Sequence, residues 1–322
     1  VLQKPPAQLA QRRGQGKLSI EPDFYYDYVR LFMRVPRAPR IPPTLRAWHG
    51  GEIFATLTPW SIAPNVYVAG LPLNKAFQKP VAIEGIAVAA GMDTMWGAAA
   101  VQLFPVSPER GGVVRSNDGL SELGFEGGAV YRMLYARIEE LTTAPSSLAP
   151  VVGKAYRFEP ADVPLKGKGY LTIYFPEPEQ RLEQLAIYSI GRGGALRYVG
   201  KQVDPEGHWV RSPVTALGTF AVVRDSVPPL IVSLRPGEGE IVATDRPTLR
   251  VEFYDKLSGI GGEEAIELLL NGQRVISEYD PPRRCAFYSP RKPLTKGRHR
   301  VTARIRDRCG NTSMAEHTFF IR

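Results

Sequence analysis

Few stretches of this chain longer than ten residues keep apolar positions at i, i+3 and i+4 without a Gly or Pro intervening. Gly loosens the backbone and Pro removes a donor, so 31 Gly and 29 Pro spread over 322 residues leave little room for helices. What this punctuation spares is short and extended. Alternating, β-branched or aromatic runs fall at 25–35, 66–71, 81–90, 98–106, 129–139, 169–175, 185–190 and 220–223. Seven more follow at 230–234, 248–254, 265–270, 274–278, 286–289, 298–305 and 315–321. The pattern predicts an all-β chain of sandwiches.

Two turn-rich stretches, 106–112 (VSPERGG) and 224–229 (RDSVPP), combine charge with Pro or Gly between strand-rich segments. They predict three β-sandwich, immunoglobulin-like domains in series: 17–110, 111–226 and 227–322. The residues before them, 1–16, read as an N-terminal extension, since Pro5, Pro6 and a Gln/Arg/Gly run bury too little apolar surface to fold alone. That stretch has no apolar core and no signal peptide is visible, so the chain reads as a mature or excised piece. No window reaches about 18 uninterrupted apolar residues. The nearest, 81–92, is short and carries Glu84, so no transmembrane segment is expected.

The formal net charge is +9, distributed as +5 over 1–110, zero over 111–226 and +4 over 227–322. Such a balance suits contact with a polyanion or an anionic surface. The basic residues are not interleaved with aromatics as nucleic-acid modules require, so no specific nucleic acid is expected.

The sequence carries no catalytic signature and no catalysis is expected. His49, His208, His299 and His317 are scattered, and the two cysteines lie 24 residues apart, which is not zinc spacing. The glycine runs 191–194 (GRGG) and 259–262 (GIGG) lack the strand, spacing and helix of a phosphate loop, and read as hairpin turns. No G-x-S-x-G elbow is present. Trp48, Trp60, Trp96 and Trp209 read as core or packing residues; a carbohydrate-binding module would instead need Trp48, Trp60 or Trp209 exposed in a shallow groove.

Several motifs crowd the last 95 or so residues: D-x-x-S-G-I at Asp255, Ser258, Gly259 and Ile260, an N-G turn at Asn271 and Gly272, and D-x-x-G-N at Asp307, Gly310 and Asn311. Together they resemble a bacterial extracellular immunoglobulin-like module. The middle region, with SNDG at 116–119, FEGGA at 125–129 and GTFAVVRD at 218–225, resembles a ZU5-type surface sandwich. Such arrays are similar to the non-catalytic C-terminal part of secreted cell-wall proteins, lysostaphin-like zinc metallopeptidases among them. Those peptidases hold zinc through H-x-x-x-D and H-x-H, and neither spacing occurs here. The resemblance implies an extracellular, periplasmic or cell-envelope location and company with an enzyme rather than activity.

Three groups of residues are singled out in the last domain. Cys285 and Cys309 are expected at the same end of the sandwich, where a disulfide is feasible and two small buried apolar side chains are the alternative. The Asp255 and Asp307 corners should meet at one end, with Asp225 of the preceding linker close by. With Asn311 they form a candidate calcium site, or else simply bond turn backbone. No other cofactor is expected.

Third, a strand over 298–308 would set Arg298, Arg300, Thr302, Arg304, Arg306 and Arg308 on one face and His299, Val301, Ala303, Ile305 and Asp307 on the other. Glu267 and Glu316 on flanking strands can form a charge ladder with that row. With Arg283 and Arg284 nearby, and Asp307 the lone acid between 283 and 308, the row also fits docking to an acidic surface. The expected function is therefore a non-catalytic secreted or envelope interaction protein, possessing a protein partner or an anionic envelope polymer as ligand and acting within a larger assembly. The alternatives are the accessory modules of a cell-wall peptidase or a carbohydrate-binding module.

Overall fold

The computed structural model describes residues 17–73, 80–91, 93–141, 149–161, 163–175 and 180–322; the extension 1–16 lies outside them. The fold is all-β. Among the described residues, helical turns are limited to three 3-10 segments, Leu182–Gln184, Arg192–Gly194 and Glu263–Ala265. The described residues fall into two compact units. One comprises those up to 141 with 155–173 and 213–220; the other comprises those in 149–154, 174–212 and 221–322.

The first unit opens with two antiparallel four-stranded sheets. In strand order, one is Ser19–Phe24, Tyr28–Arg34, Val66–Pro72 and Trp60–Ala63. The other is Glu52–Leu57, Thr44–His49, Val81–Val88 and Thr94–Val101. Period-two alternation sends Val29, Leu31 and Met33 inward from one sheet and Leu45, Ala47 and Ile83 from the other, into one core. Gly97 lies within a strand that the chain passes closely over: a Cβ there would collide with the Leu18 carbonyl oxygen.

The stretch 98–106 reads in sequence as one strand, but the structure divides it. Thr94–Val101 pairs with Val81–Val88, whereas Phe104–Val106 pairs with Leu134–Leu141. The run is continuous in character, and the change of partner breaks it. The SNDG motif makes the turn between Gly112–Arg115 and Ser121–Phe125. Its Asp118 accepts from the Leu120 N–H and the Ser116 hydroxyl.

In the second unit, Leu185–Ile190 pairs with Leu196–Gly200, and Gln202–Asp204 with residues 209–211. The C-terminal part is a sandwich. One sheet has the order Leu230–Arg235, Leu249–Tyr254, Cys285–Tyr288, Glu278–Asp280. The facing sheet has the order Ile241–Val242, Thr312–Ile321, Gly297–Arg306, Ile266–Leu270, Gln273–Val275, its first pair parallel and the rest antiparallel. This is the immunoglobulin arrangement of an ABED sheet on a GFC sheet. Leu234, Leu249, Val251, Phe253 and Ala286 from the first sheet meet Ile266, Leu268, Val301, Ala303, Ile305 and Phe319 from the second.

Candidate functional site

Two constellations in the second unit carry chemistry: a buried group of carboxylates at one end of the C-terminal sandwich, and a row of arginines on its exposed sheet face.

The carboxylates come from three separate segments. Asp225 follows the strand Thr219–Arg224, Asp255 follows Leu249–Tyr254, and Asp307 follows Gly297–Arg306. Each chain leaves its strand in a turn whose N–H groups need acceptors, and a short carboxylate supplies them. Asp255 Oδ2 accepts from the N–H groups of Leu257 (2.9 Å) and Gly259 (2.7 Å). Asp307 Oδ1 accepts from the Asn311 N–H (2.8 Å), closing the D-x-x-G-N corner. Asp225 Oδ1 accepts from Val227 N–H (3.1 Å), and its Oδ2 from Ser258 N–H (3.0 Å) and the Tyr188 hydroxyl (3.4 Å).

The bonding within turns does not keep the three apart. One ligand oxygen of each of Asp225, Asp255 and Asp307 lies within 4.8 Å of the others, and among the described residues this is the sole such grouping of three His, Cys, Asp or Glu. Asp225 is 0% exposed and Asp307 4%. Burial pushes the Asp307 carboxyl up to about 6, against the downward pull of the Asn311 hydrogen bonds, and the charges of Asp225 and Asp255 push the same way. Asn311 bridges the group: its Nδ2 donates to Asp307 Oδ2 (2.8 Å) and to the Asp225 carbonyl (2.9 Å), while its Oδ1 accepts from Gln184 Nε2 (2.9 Å).

The structure thus brings together Asp225, Asp255, Asp307 and Asn311, the four corner residues singled out in sequence. Ser258 of the D-x-x-S-G-I motif joins them, and the structure adds Gln184 and Tyr188. Gln184 and Tyr188 precede Asn311 by more than a hundred positions, and no local spacing announces them.

Cys309 lies within the corner, and burial with the nearby Asp225 pushes its thiol up to about 11. Cys285 begins the strand Cys285–Tyr288. Both are buried free thiols, so the bridge that sequence made feasible is not formed in the structure. The Cys309 thiol lies against the Tyr188 and Ser258 side chains.

The arginine row follows the strand Gly297–Arg306, along which exposed and buried positions alternate. Arg298, Arg300, Arg304 and Arg306 point outward and His299, Val301, Ala303 and Ile305 inward. Register sets Glu267 opposite Arg304 and Glu316 opposite Thr302. Arg304 pairs with Glu267 at 2.9 Å and Arg300 with Glu316 at 3.4 Å. These are the two rungs of the expected ladder.

Arg308 departs from the row because the strand ends at Arg306. Its Nη1 donates to the Ser258 carbonyl (2.8 Å) and its guanidinium lies over the Tyr198 ring. Arg283 pairs with Asp280 at 3.6 Å, and Arg284 sits in the following turn with φ 51°. Among the described residues, Arg298 and Arg306 have no acidic partner within ion-pair distance.

Two open depressions flank the row. One, of about 270 Å³, is lined by Arg274, Arg304 and Arg306 together with Glu264 and Glu267. The other, of about 330 Å³, is lined by Asn271, Gly272, Arg298, His299 and Arg300, with no acid. The Asn271 side chain fixes that second rim, its Oδ1 accepting from Arg300 N–H (2.9 Å) and its Nδ2 lying 2.9 Å from His299 Nδ1.

The rungs are exposed, so each should contribute little to stability. A double-mutant cycle on Arg304→Ala and Glu267→Ala should give a coupling of about 0.2–1 kcal/mol in urea unfolding. Coupling well above that range would show a structural rather than a surface pair.

Of the four tryptophans, Trp60 stands on an edge strand, 57% exposed, and Trp96 Nε1 donates to the buried Glu84. Trp209 is partly covered by Arg211, and Trp48 is partly buried.

No helix among the described residues is long and apolar enough to cross a membrane. No protein-family model matches the chain, for ZU5-type and lysostaphin-like modules as for any other, and no curated protein matches it. Among solved structures, a tetra-tandem repeat in the extending region of a large adhesion protein is 13% identical, with 95% of this chain and 74% of that one covered and a TM-score of 0.29. CopC from Methylosinus trichosporium OB3b is 16% identical over 29% of this chain and 92% of its own, with a TM-score of 0.24. The chicken CNTN1 FN1-FN3 domains are 12% identical over 95% and 98%, with a TM-score of 0.18.

Proposed function

We propose that the chain is a non-catalytic interaction protein of the extracellular space or cell envelope, built of β-sandwich modules bounded near residues 110 and 226. Its C-terminal sandwich docks an acidic partner surface. The observation that carries this reading is the acid-free depression between Arg298 and Arg300. It continues the outward arginine row, in which Arg298 and Arg306 lack acidic partners among the described residues. Outward guanidinium groups on one rigid strand face, with those of Arg298 and Arg306 at its two ends lacking an acidic partner among the described residues, match an array of carboxylates or phosphates. The ladder acids Glu267 and Glu316 hold Arg304 and Arg300 in place but leave the rest of the row free.

The test uses the full chain over surfaces of immobilised polyglutamate and of polyphosphate, which separate a carboxylate-bearing partner from a phosphate-bearing one. Wild-type protein should bind at least one of them at low ionic strength and release it as salt approaches 0.15 M and above. The triple substitution Arg298→Glu, Arg300→Glu, Arg306→Glu should weaken binding by about 100-fold or more with the circular dichroism spectrum unchanged. Equal binding by the folded variant at low salt would reduce the row to a solvated face.

A further inference from the structure

The carboxylate group at the end of the C-terminal sandwich has a charge problem that its hydrogen bonds do not solve. Three acids converge within 4.8 Å of one another. Among the described residues, none of the three forms an ion pair with a Lys or Arg. The two nearby cations are directed elsewhere: Arg308 donates to the Ser258 carbonyl, and Lys201 Nζ donates to the Glu183 carbonyl. Turn N–H groups account for one oxygen of Asp255 completely, yet its Oδ1 is buried with no hydrogen-bond partner.

A second orphan lies in the same place. Ser258 is 1% exposed, and its Oγ has no hydrogen-bond partner. Its own N–H donates to Asp225 Oδ2, while the N–H groups on either side of it donate to Asp255 Oδ2. The residue is therefore held between the two carboxylates by its own N–H and those on either side of it, with its hydroxyl buried at the same corner. A buried carboxylate oxygen and a buried hydroxyl without hydrogen-bond partners, beside two further acids, leave the negative charge of the group uncompensated by its own hydrogen bonds.

We propose that Asp225, Asp255 and Asp307, with the Ser258 hydroxyl, bind one calcium ion. All the available donors are hard oxygens, which select calcium or magnesium over softer metals. Calcium suits the set better than magnesium, because donors fixed by turns on three separate segments give irregular geometry, which calcium tolerates and magnesium does not. The ion joins the end of the strand Thr219–Arg224 to two corners of the C-terminal sandwich, and so ties the segment that enters the sandwich to the sandwich itself.

Calorimetric titration of chelator-treated full-length protein with calcium chloride should show one ion bound per chain, with a dissociation constant of about 10⁻⁵ to 10⁻³ M. The thermal midpoint should rise with calcium concentration. Asp255→Asn, which keeps the Oδ acceptor for the two turn N–H groups, should weaken calcium at least tenfold. Terbium provides a reading on the unaltered protein. The Tyr188 hydroxyl bonds Asp225, so terbium in the site should give tyrosine-sensitised emission that calcium displaces. The proposal is overturned if neither calcium heat nor calcium-sensitive terbium emission is found at millimolar metal, or if folded Asp255→Asn binds calcium as the wild type does. If Asp255→Asn does not fold, the wild-type terbium result decides.

Discussion

Replacing Asn311 by Ala should lower the stability of the second unit by about 3–5 kcal/mol, one of the largest losses expected from a single truncation in it. The amide makes three side-chain hydrogen bonds, to Asp307 Oδ2, to the Asp225 carbonyl and from Gln184 Nε2, and all three are buried. Truncation leaves each partner without its bond in a place water does not reach, and each such orphan costs about 1–3 kcal/mol. Asn311→Asp should be at least as harmful. It keeps an acceptor for Gln184, loses both donors and adds a fourth carboxylate beside Asp307. Urea unfolding followed by circular dichroism reads both variants, and a loss under 1 kcal/mol for Asn311→Ala would show the corner to be solvated.

Period-two alternation made the C-terminal strands legible in the sequence. The expected strand over 298–305 is Gly297–Arg306 in the structure, and its arginines face outward as the alternation requires. Local hydrophobic alternation fixes which side of a strand is wet, and the pairing of flanking strands then sets Glu267 and Glu316 beside the row. Strands without that signal were missed. Trp60–Ala63 is exposed at every position, and Glu52–Leu57 buries none of its residues fully. Edge strands of this kind are held by backbone pairing, to which side-chain pattern is blind.

The corner shows the same division. Asp255, Asp307 and Asn311 declared themselves through turn motifs, since each bonds backbone within four residues of itself. Gln184 and Tyr188 did not, because their bonds to Asn311 and Asp225 depend on how distant segments pack. Nor could spacing reveal that Arg308 turns away from the row: the strand ends two residues earlier, and its guanidinium is captured by the Ser258 carbonyl.

In chelator-treated protein, Asp307 should make stability fall as pH rises from about 4 to about 6, the reverse of the usual carboxylate. An ordinary paired Asp has its pKa lowered on folding and loses stability in acid. Asp307 is shifted the other way, from 3.8 up to about 6, by burial and by the facing charges of Asp225 and Asp255. Its protonated form is favoured in the folded state. The associated stabilisation is complete below the unfolded value and is lost as pH climbs through the folded one, about 3 kcal/mol in all. Besides Asp225 and Asp255, the corner holds Tyr188 and the Cys309 thiol, both pushed upward and neutral throughout this range. Other acids titrate over the same interval, so the quantity to read is the difference between wild type and Asp307→Asn in urea midpoints at each pH. That difference should move against the wild type from pH 4 to 6 and level off above about 7. A difference independent of pH would mean that Asp307 is ionised throughout. Saturating calcium should flatten the slope, because a divalent ion neutralises the cluster in place of the proton and leaves Asp307 nothing to gain from acid.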